Sequence, residues 1–165
     1  MNADLQKAID TLRIHDVYQR SSIAQCVGDF EPKYDQEIEQ LVTQTKHGVK
    51  QTQLAEIDES QWLVRVFIEL GARLVDPRVE NEIDSVKAVI EAEYIAEYTA
   101  DEALEQACID EYALKNASYH VWPYWREFLM SQCGRMHLPR FVLPTMQLAH
   151  NRHQEKSPTT GEKPE

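Results

Sequence analysis

The chain has 165 residues, 42% hydrophobic and 27% charged, the size and make-up of one globular domain. Seventeen Lys and Arg stand against 28 Asp and Glu, a formal net charge of −11. That balance argues against nucleic-acid binding, which needs a basic face to release counterions from phosphates, and against an anionic membrane surface. The five glycines (Gly28, Gly48, Gly71, Gly134, Gly161) lie too far apart for a phosphate-cradling loop. Cys26, Cys108 and Cys133 form an odd set without a CxxC pair, which predicts reduced thiols and a cytoplasmic protein. Residues 1–10 lack the basic and apolar stretches of a signal peptide, and apolar runs such as Val66–Ile68 stop far short of a membrane span.

In chain order, Leu12, Ile14 and then Val17 with Tyr18 predict a first strand whose alternation slips once, as at a bulge. Residues 19–33 hold Gly28 and Pro32 and predict a long crossover. Residues 37–45 fit two states: Val42, Thr43 and Thr45 favour a strand, whereas the acidic start suits a helix. Residues 46–60 are polar and read as a loop. From 62 to 75 the period is two, with Val64, Val66, Ile68, Leu70, Ala72 and Leu74 on one side and Arg65, Glu69 and Arg73 on the other. Residues 86–98 alternate again, Ala88, Ile90, Ala92, Tyr94, Ala96 and Tyr98 against Lys87, Glu91, Glu93 and Glu97. The polar stretch from Asp76 to Ser85 closes these two strands as an antiparallel hairpin.

Helical spacing begins after Thr99. Leu104, Ala107, Cys108 and Tyr112 share a face behind a cap at Asp101 or Thr99. Ser118 is positioned to cap a second helix bearing Val121, Trp122, Trp125, Leu129 and Met130, with Pro123 setting its first turn or a kink and Gly134 just past its end. Pro139 and Pro144 forbid a helix through 138–144, and residues 150–165 read as a disordered polar tail. Strands followed by helices predict an α+β fold for residues 1–149: a four-stranded antiparallel sheet with helices packed on one face.

Charge is uneven along the chain. Between Asp76 and Glu111 there are 12 acids and two bases, so most of the net charge falls in one segment. Such a run is either a solvated face or a docking surface for a basic partner. No enzyme signature accompanies it: GxSxG and HExxH are absent, and nothing in the sequence pairs a Cys with a His. His150 and His153 have HxxH spacing without further ligands, so neither metal nor cofactor is expected. The densest local feature is aromatic. Trp122, Tyr124, Trp125 and Phe128 fall within seven residues and point around a helix rather than to one side, so part of that surface is expected to meet a subunit or an apolar ligand.

Trp122-Pro123-Tyr124-Trp125-Arg126-Glu127 resembles the aromatic-Pro-Tyr-x-Arg-Glu core of the SecB export chaperones. Gly134-Arg135, Leu138-Pro139 and Leu143-Pro144 are similar to that family's helix end and Pro-punctuated segment, and Val86–Tyr98 and Leu12–Tyr18 resemble its last and first strands. The resemblance spans about residues 12–148. It implies an ATP-independent holdase for unfolded polypeptides, a homotetramer built as a dimer of dimers, and delivery of clients to the SecA motor through an acidic sheet surface. By that analogy Val27, Phe30, Trp62, Phe141 and Val142 line the client groove, Val89 and Glu91 form the motor-docking contact, and Trp122, Tyr124, Trp125 and Phe128 form the oligomer interface. The sequence departs from the family in two places. Arg20 to Gln25 stand where docking acids follow the first strand, and Met146 to His150 run into a polar tail where an apolar helix is expected. Both departures bear on SecA delivery more than on client binding. The alternative implied is a SecB-like chaperone dedicated to one partner, such as the antitoxin of a toxin–antitoxin system.

Overall fold

A computed structural model of the chain describes residues 2–141 and residue 143. Val142 and the proposed tail lie outside the described residues. Helix α1 (Ala3–Thr11) comes first, followed by strand β1 (Arg13–Cys26), a crossover that ends in a 3-10 turn (Ile38–Gln40), and strands β2 (Val42–Asp58) and β3 (Gln61–Val75). A one-turn helix α2 (Glu82–Ser85) precedes strand β4 (Val86–Ala100), and helices α3 (Gln106–Tyr112) and α4 (Ser118–Arg135) complete the order. The sheet is antiparallel with strand order β1-β4-β3-β2. It is the expected α+β architecture with helices on one face.

The central pair behaves as its alternation predicts. Val64, Val66, Ile68, Leu70, Ala72 and Leu74 of β3 and Ala88, Ile90, Ala92, Tyr94, Ala96 and Tyr98 of β4 are all buried and form one apolar face. Helix α4 lies against this face through Val121, Trp125, Leu129 and Cys133, which recur at helical spacing. Trp125 is among the largest fully buried side chains, at 1% exposure. Polar groups at the layer boundary find partners: Tyr98 Oη meets His120 Nδ1 at 3.0 Å, and His47 Nε2 meets Ser118 Oγ at 2.6 Å.

Five expectations are corrected. Strand β1 shows the predicted slip at His15 but also a second at Arg20, and pairs on to Cys26, so the crossover starts at 27 rather than 19. Residues 46–60 are mostly strand: β2 is an edge with exposed residues along most of its length, so it carries no hydrophobic alternation to read. The N-terminal helix was not anticipated, although Leu5, Ala8 and Leu12 have helical spacing and Asn2 Oδ1 caps Asp4 N–H at 3.0 Å. Ser118 caps nothing, because α3 runs through a π-helical turn (Ala113–Ala117) straight into α4, and α3 itself begins only after Glu105. The left-handed residue that ends α4 is His137 (φ 55°), not Gly134. Leu138 N–H reaches back to Cys133 C=O at 3.0 Å, the six-to-one bond of a Schellman ending.

Two predictions follow from this packing. Trp125→Ala removes the largest side chain between helix and sheet and is expected to cost about 3–5 kcal/mol in urea denaturation; a loss below about 1 kcal/mol would mean that α4 is not the main cover. Burial holds the imidazoles of His120 and His47 below the ordinary value of 6.5. The folded state therefore resists protons that the unfolded chain accepts, so stability is full above pH 6.5 and declines as pH falls through it. Melting temperature is expected to drop between about pH 7.5 and 5.5, above the range of the carboxylates, and to drop less in His120→Gln; a flat profile would contradict the assignment.

Candidate functional site

The sheet end at which β1 and β3 finish and β2 and β4 begin collects the crossover, the β3–β4 hairpin loop and the C-terminus of α4. Val27 extends the β1 pairing by one residue, its N–H donating to Lys87 C=O at 2.8 Å. Gly28, at φ +62°, then turns the chain, a conformation that suits glycine, and Phe30 N–H closes the turn on Val27 C=O at 3.3 Å. Phe30 comes out half-buried and packed on the core, whereas Tyr34 is 71% exposed. Facing them are Arg135, Met136 and His137, held in place by the Schellman ending of α4. The result is an open groove between the crossover and the helix end, mostly apolar in surface and lined by Phe30, Pro32, Tyr34 and Met136 together with Glu31, Lys33, Arg135 and His137; Lys33 Nζ lies 5.5 Å over the Tyr34 ring.

The five residues expected to line a groove are not brought to one place. Val27 and Phe30 are at this end. Trp62 starts β3 opposite Ala100, at the other end of the strand, roughly 40 Å away at 3.3 Å per residue. Phe141 is 9% exposed and belongs to the core cluster. Val142 is outside the described residues. Tyr34, Pro32 and Met136 were missed; the signal available was Pro32-Lys33-Tyr34 following Gly28, an exposed aromatic in a turn-rich segment.

The aromatic cluster of α4 divides. Trp125 is buried in the chain's own core and is not presented to a partner. Tyr124 is 50% exposed on the outward side with Met130, and Trp122 and Phe128 are half-buried between the two. Trp122 meets the His47 ring edge at 6.1 Å.

Val89 and Glu91 lie on the outer face of the sheet, as alternation requires, but that face is not an open acidic surface. Glu91 pairs with Lys46 at 3.1 Å. Lys46 crosses β3 over Gly71, where an added Cβ would sit 2.8 Å from Lys46 Cε and 3.3 Å from Glu91 Cγ, so glycine provides the path for the lysine. Glu93, 10% exposed at its side chain, accepts from Lys50 at 2.8 Å and Arg20 at 3.1 Å, and the Lys50 hydrogen bond foremost holds its carboxyl below the usual value. Glu97 accepts from Arg65 at 3.0 Å and from Tyr18 Oη at 2.9 Å. Arg65 also covers the buried Phe67 ring at 5.2 Å. Three of the acids counted in the sequence as surplus charge are thus neutralised by bases from β1, β2 and β3.

Among the described residues no cluster of His, Cys, Asp or Glu could hold a metal ion, and burial raises the thiols of Cys26, Cys108 and Cys133 above their ordinary value, away from the reactive thiolate. No described helix is long and apolar enough to cross a membrane.

No family model matches the chain, and no curated protein matches it by sequence. Among solved structures it is similar to the Mycobacterium tuberculosis Rv1957 SecB-like chaperone in complex with a ChAD peptide from the Rv1956 HigA1 antitoxin. The likeness has a TM-score of 0.63 at 16% identity and covers 88% of this chain and 98% of that one. A backbone match of that extent at so low an identity establishes architecture: the chain has a SecB-like fold.

Proposed function

We propose that this protein is an ATP-independent chaperone that holds an extended apolar segment of a non-native polypeptide in the groove between the crossover and the end of α4. The observation that carries the reading is the exposed aromatic rim, Tyr34 at 71% with Phe30 beneath it, in a fold whose solved neighbour is in complex with a peptide. A large exposed aromatic on a turn is an aggregation liability unless it has a partner. A net charge of −11 offsets that liability by self-repulsion.

The neighbour's peptide comes from an antitoxin, which favours an antitoxin-like partner as the tightest client; the groove, offering mainly apolar surface, also takes an extended apolar segment of an unrelated unfolded chain, but more weakly and without protecting it. Delivery to SecA draws less support, because the β4 acids that would meet a basic motor are already paired with Lys46, Lys50, Arg20 and Arg65. The outward side of α4, with Tyr124, Trp122 and Phe128, supports self-association into the tetramer implied by the resemblance. Light scattering is expected to give a multiple of the 19.2 kDa chain that Tyr124→Glu reduces; a monomer in both would remove the oligomer from the account.

The client reading is tested with reduced, carboxymethylated α-lactalbumin, a permanently unfolded chain, followed by fluorescence anisotropy. Binding is expected, weakened by Tyr34→Ser at unchanged stability, since a substitution at so exposed a site shifts folding by no more than about 0.5 kcal/mol. No binding by the wild-type protein would overturn the function. Protection of unrelated heat-denatured enzymes at equimolar ratio would replace the dedicated client with a general one.

A further inference from the structure

We propose that Arg78 is a positioning residue for the client groove: it clamps the crossover to the β3–β4 hairpin and so fixes the wall that carries Phe30 and Tyr34. This rests on the groove being the client site. The hairpin is a rigid post. Asp76 N–H donates to Ser85 C=O at 2.8 Å, and Asn81 Oδ1 caps α2 through Ile83 and Asp84 N–H at 3.0 and 3.1 Å. Onto this post Asp76, itself 8% exposed, fixes the guanidinium of Arg78 with Nε to Oδ1 at 2.8 Å and Nη2 to Oδ2 at 2.9 Å. The free corner of the fork turns to the crossover, where Nη1 reaches Gln40 Oε1 at 3.0 Å and Glu37 Oε2 at 3.1 Å.

The crossover needs such a tie. Its internal bonds are local turns, Tyr34 N–H and Asp35 N–H to Glu31 C=O and Leu41 N–H to Ile38 C=O. Phe30, Ile38 and Leu41 are only partly buried against the core. Val27 anchors its start on β4, and Arg78 anchors the 3-10 turn near its end. One guanidinium does what a lysine cannot, because a single ammonium has no planar fork to hold a carboxylate with two bonds while donating a third elsewhere. The loss of Asp76's charge does not enter at ordinary pH, since Arg78 holds that carboxyl down to about 2.

The test compares wild type, Arg78→Met, Arg78→Lys and the double variant Glu37→Gln with Gln40→Ala. The double variant leaves Asp76 paired and guards against simple unfolding. Amide hydrogen exchange over residues 28–41 is expected to quicken in all three variants while β3 and β4 keep their protection. Affinity for carboxymethylated α-lactalbumin is expected to fall about tenfold, as it would if the competent crossover were populated about a tenth of the time. Unchanged exchange over 28–41 would overturn the clamp whatever the client does. Faster exchange with undiminished affinity would overturn its role in positioning. Wild-type protein that fails to bind the probe would bring down the function reading, and the positioning role with it, a result told apart from clamp failure by the exchange data.

Discussion

The β3–β4 pair has to be dry on one side and wet on the other, and the remaining elements are arranged around that requirement. On the inner side twelve apolar side chains form a continuous stripe. Covering it requires an element with a matching face, and α4 supplies one through Val121, Trp125, Leu129 and Cys133. Burying side chains of this size contributes about 1.5–3 kcal/mol each, which sets the helix on the sheet far more firmly than any single polar contact. On the outer side the same two strands carry Arg65, Glu91, Glu93 and Glu97 above buried Phe67 and Ile95. Those apolar rings and methyls are shielded by the stems of charged residues, and the charges are balanced across strands. Strands β1 and β2, though largely exposed, are held in the sheet partly by what they lend to this balance: Arg20 and Tyr18 from one, Lys46 and Lys50 from the other.

The outer face offers paired charges, and the inner face is filled by helices. Large apolar side chains are open at Ile14 and Ile23 on β1, at Ile83 in the hairpin, at Leu114 and along the outward side of α4, and at the crossover, where they line a groove against the C-terminus of α4. There the chain is shaped by turns rather than by ladders: Gly28 bends it, Pro32 limits it, and His137 ends the helix. A wall built of turns has low intrinsic stiffness, so its position depends on a few specific ties. Negative charge is also carried on the exposed loops, where Glu80 and Asp84 of the hairpin and Asp101, Glu102 and Glu105 before α3 keep like molecules apart.

What could be read from the sequence tracks burial. Residues 62–75 and 86–98 announce themselves because one face of each is excluded from water, so the apolar set must repeat every second residue. The β1 slip at His15 is legible in the spacing of Leu12, Ile14, Val17 and Tyr18, although β1 is largely exposed and burial does not impose that spacing. Strand β2 was not legible: an edge strand whose Thr, Gln and Lys side chains face water has no periodicity to impose. Helix α1 had its signal in Leu5, Ala8, Leu12 and the Asn2 cap, but a short polar segment at a chain end competes poorly with the longer patterns beside it. The helix join at Ser118 was misread because a serine before an apolar run looks like a cap, whereas here the hydroxyl answers to His47 across the layer boundary. Of the residues the resemblance points to, Phe30 lines the groove between crossover and helix end and Val27 lies at the same end of the sheet outside it; Tyr34 and Met136 come together only through the fold, and Phe141 looks free in sequence because nothing there shows the core closing over it.

Site-directed photocrosslinking locates a bound client on the protein. A benzophenone amino acid is placed at position 34 in one protein and at position 91 in another, and each is irradiated with bound carboxymethylated α-lactalbumin. Crosslinks are expected from position 34, in the groove lining, and none from position 91, within the ion-paired outer face. Crosslinking from position 91 with none from position 34 would mean that the client lies on the sheet and that the groove between crossover and helix is not the binding site.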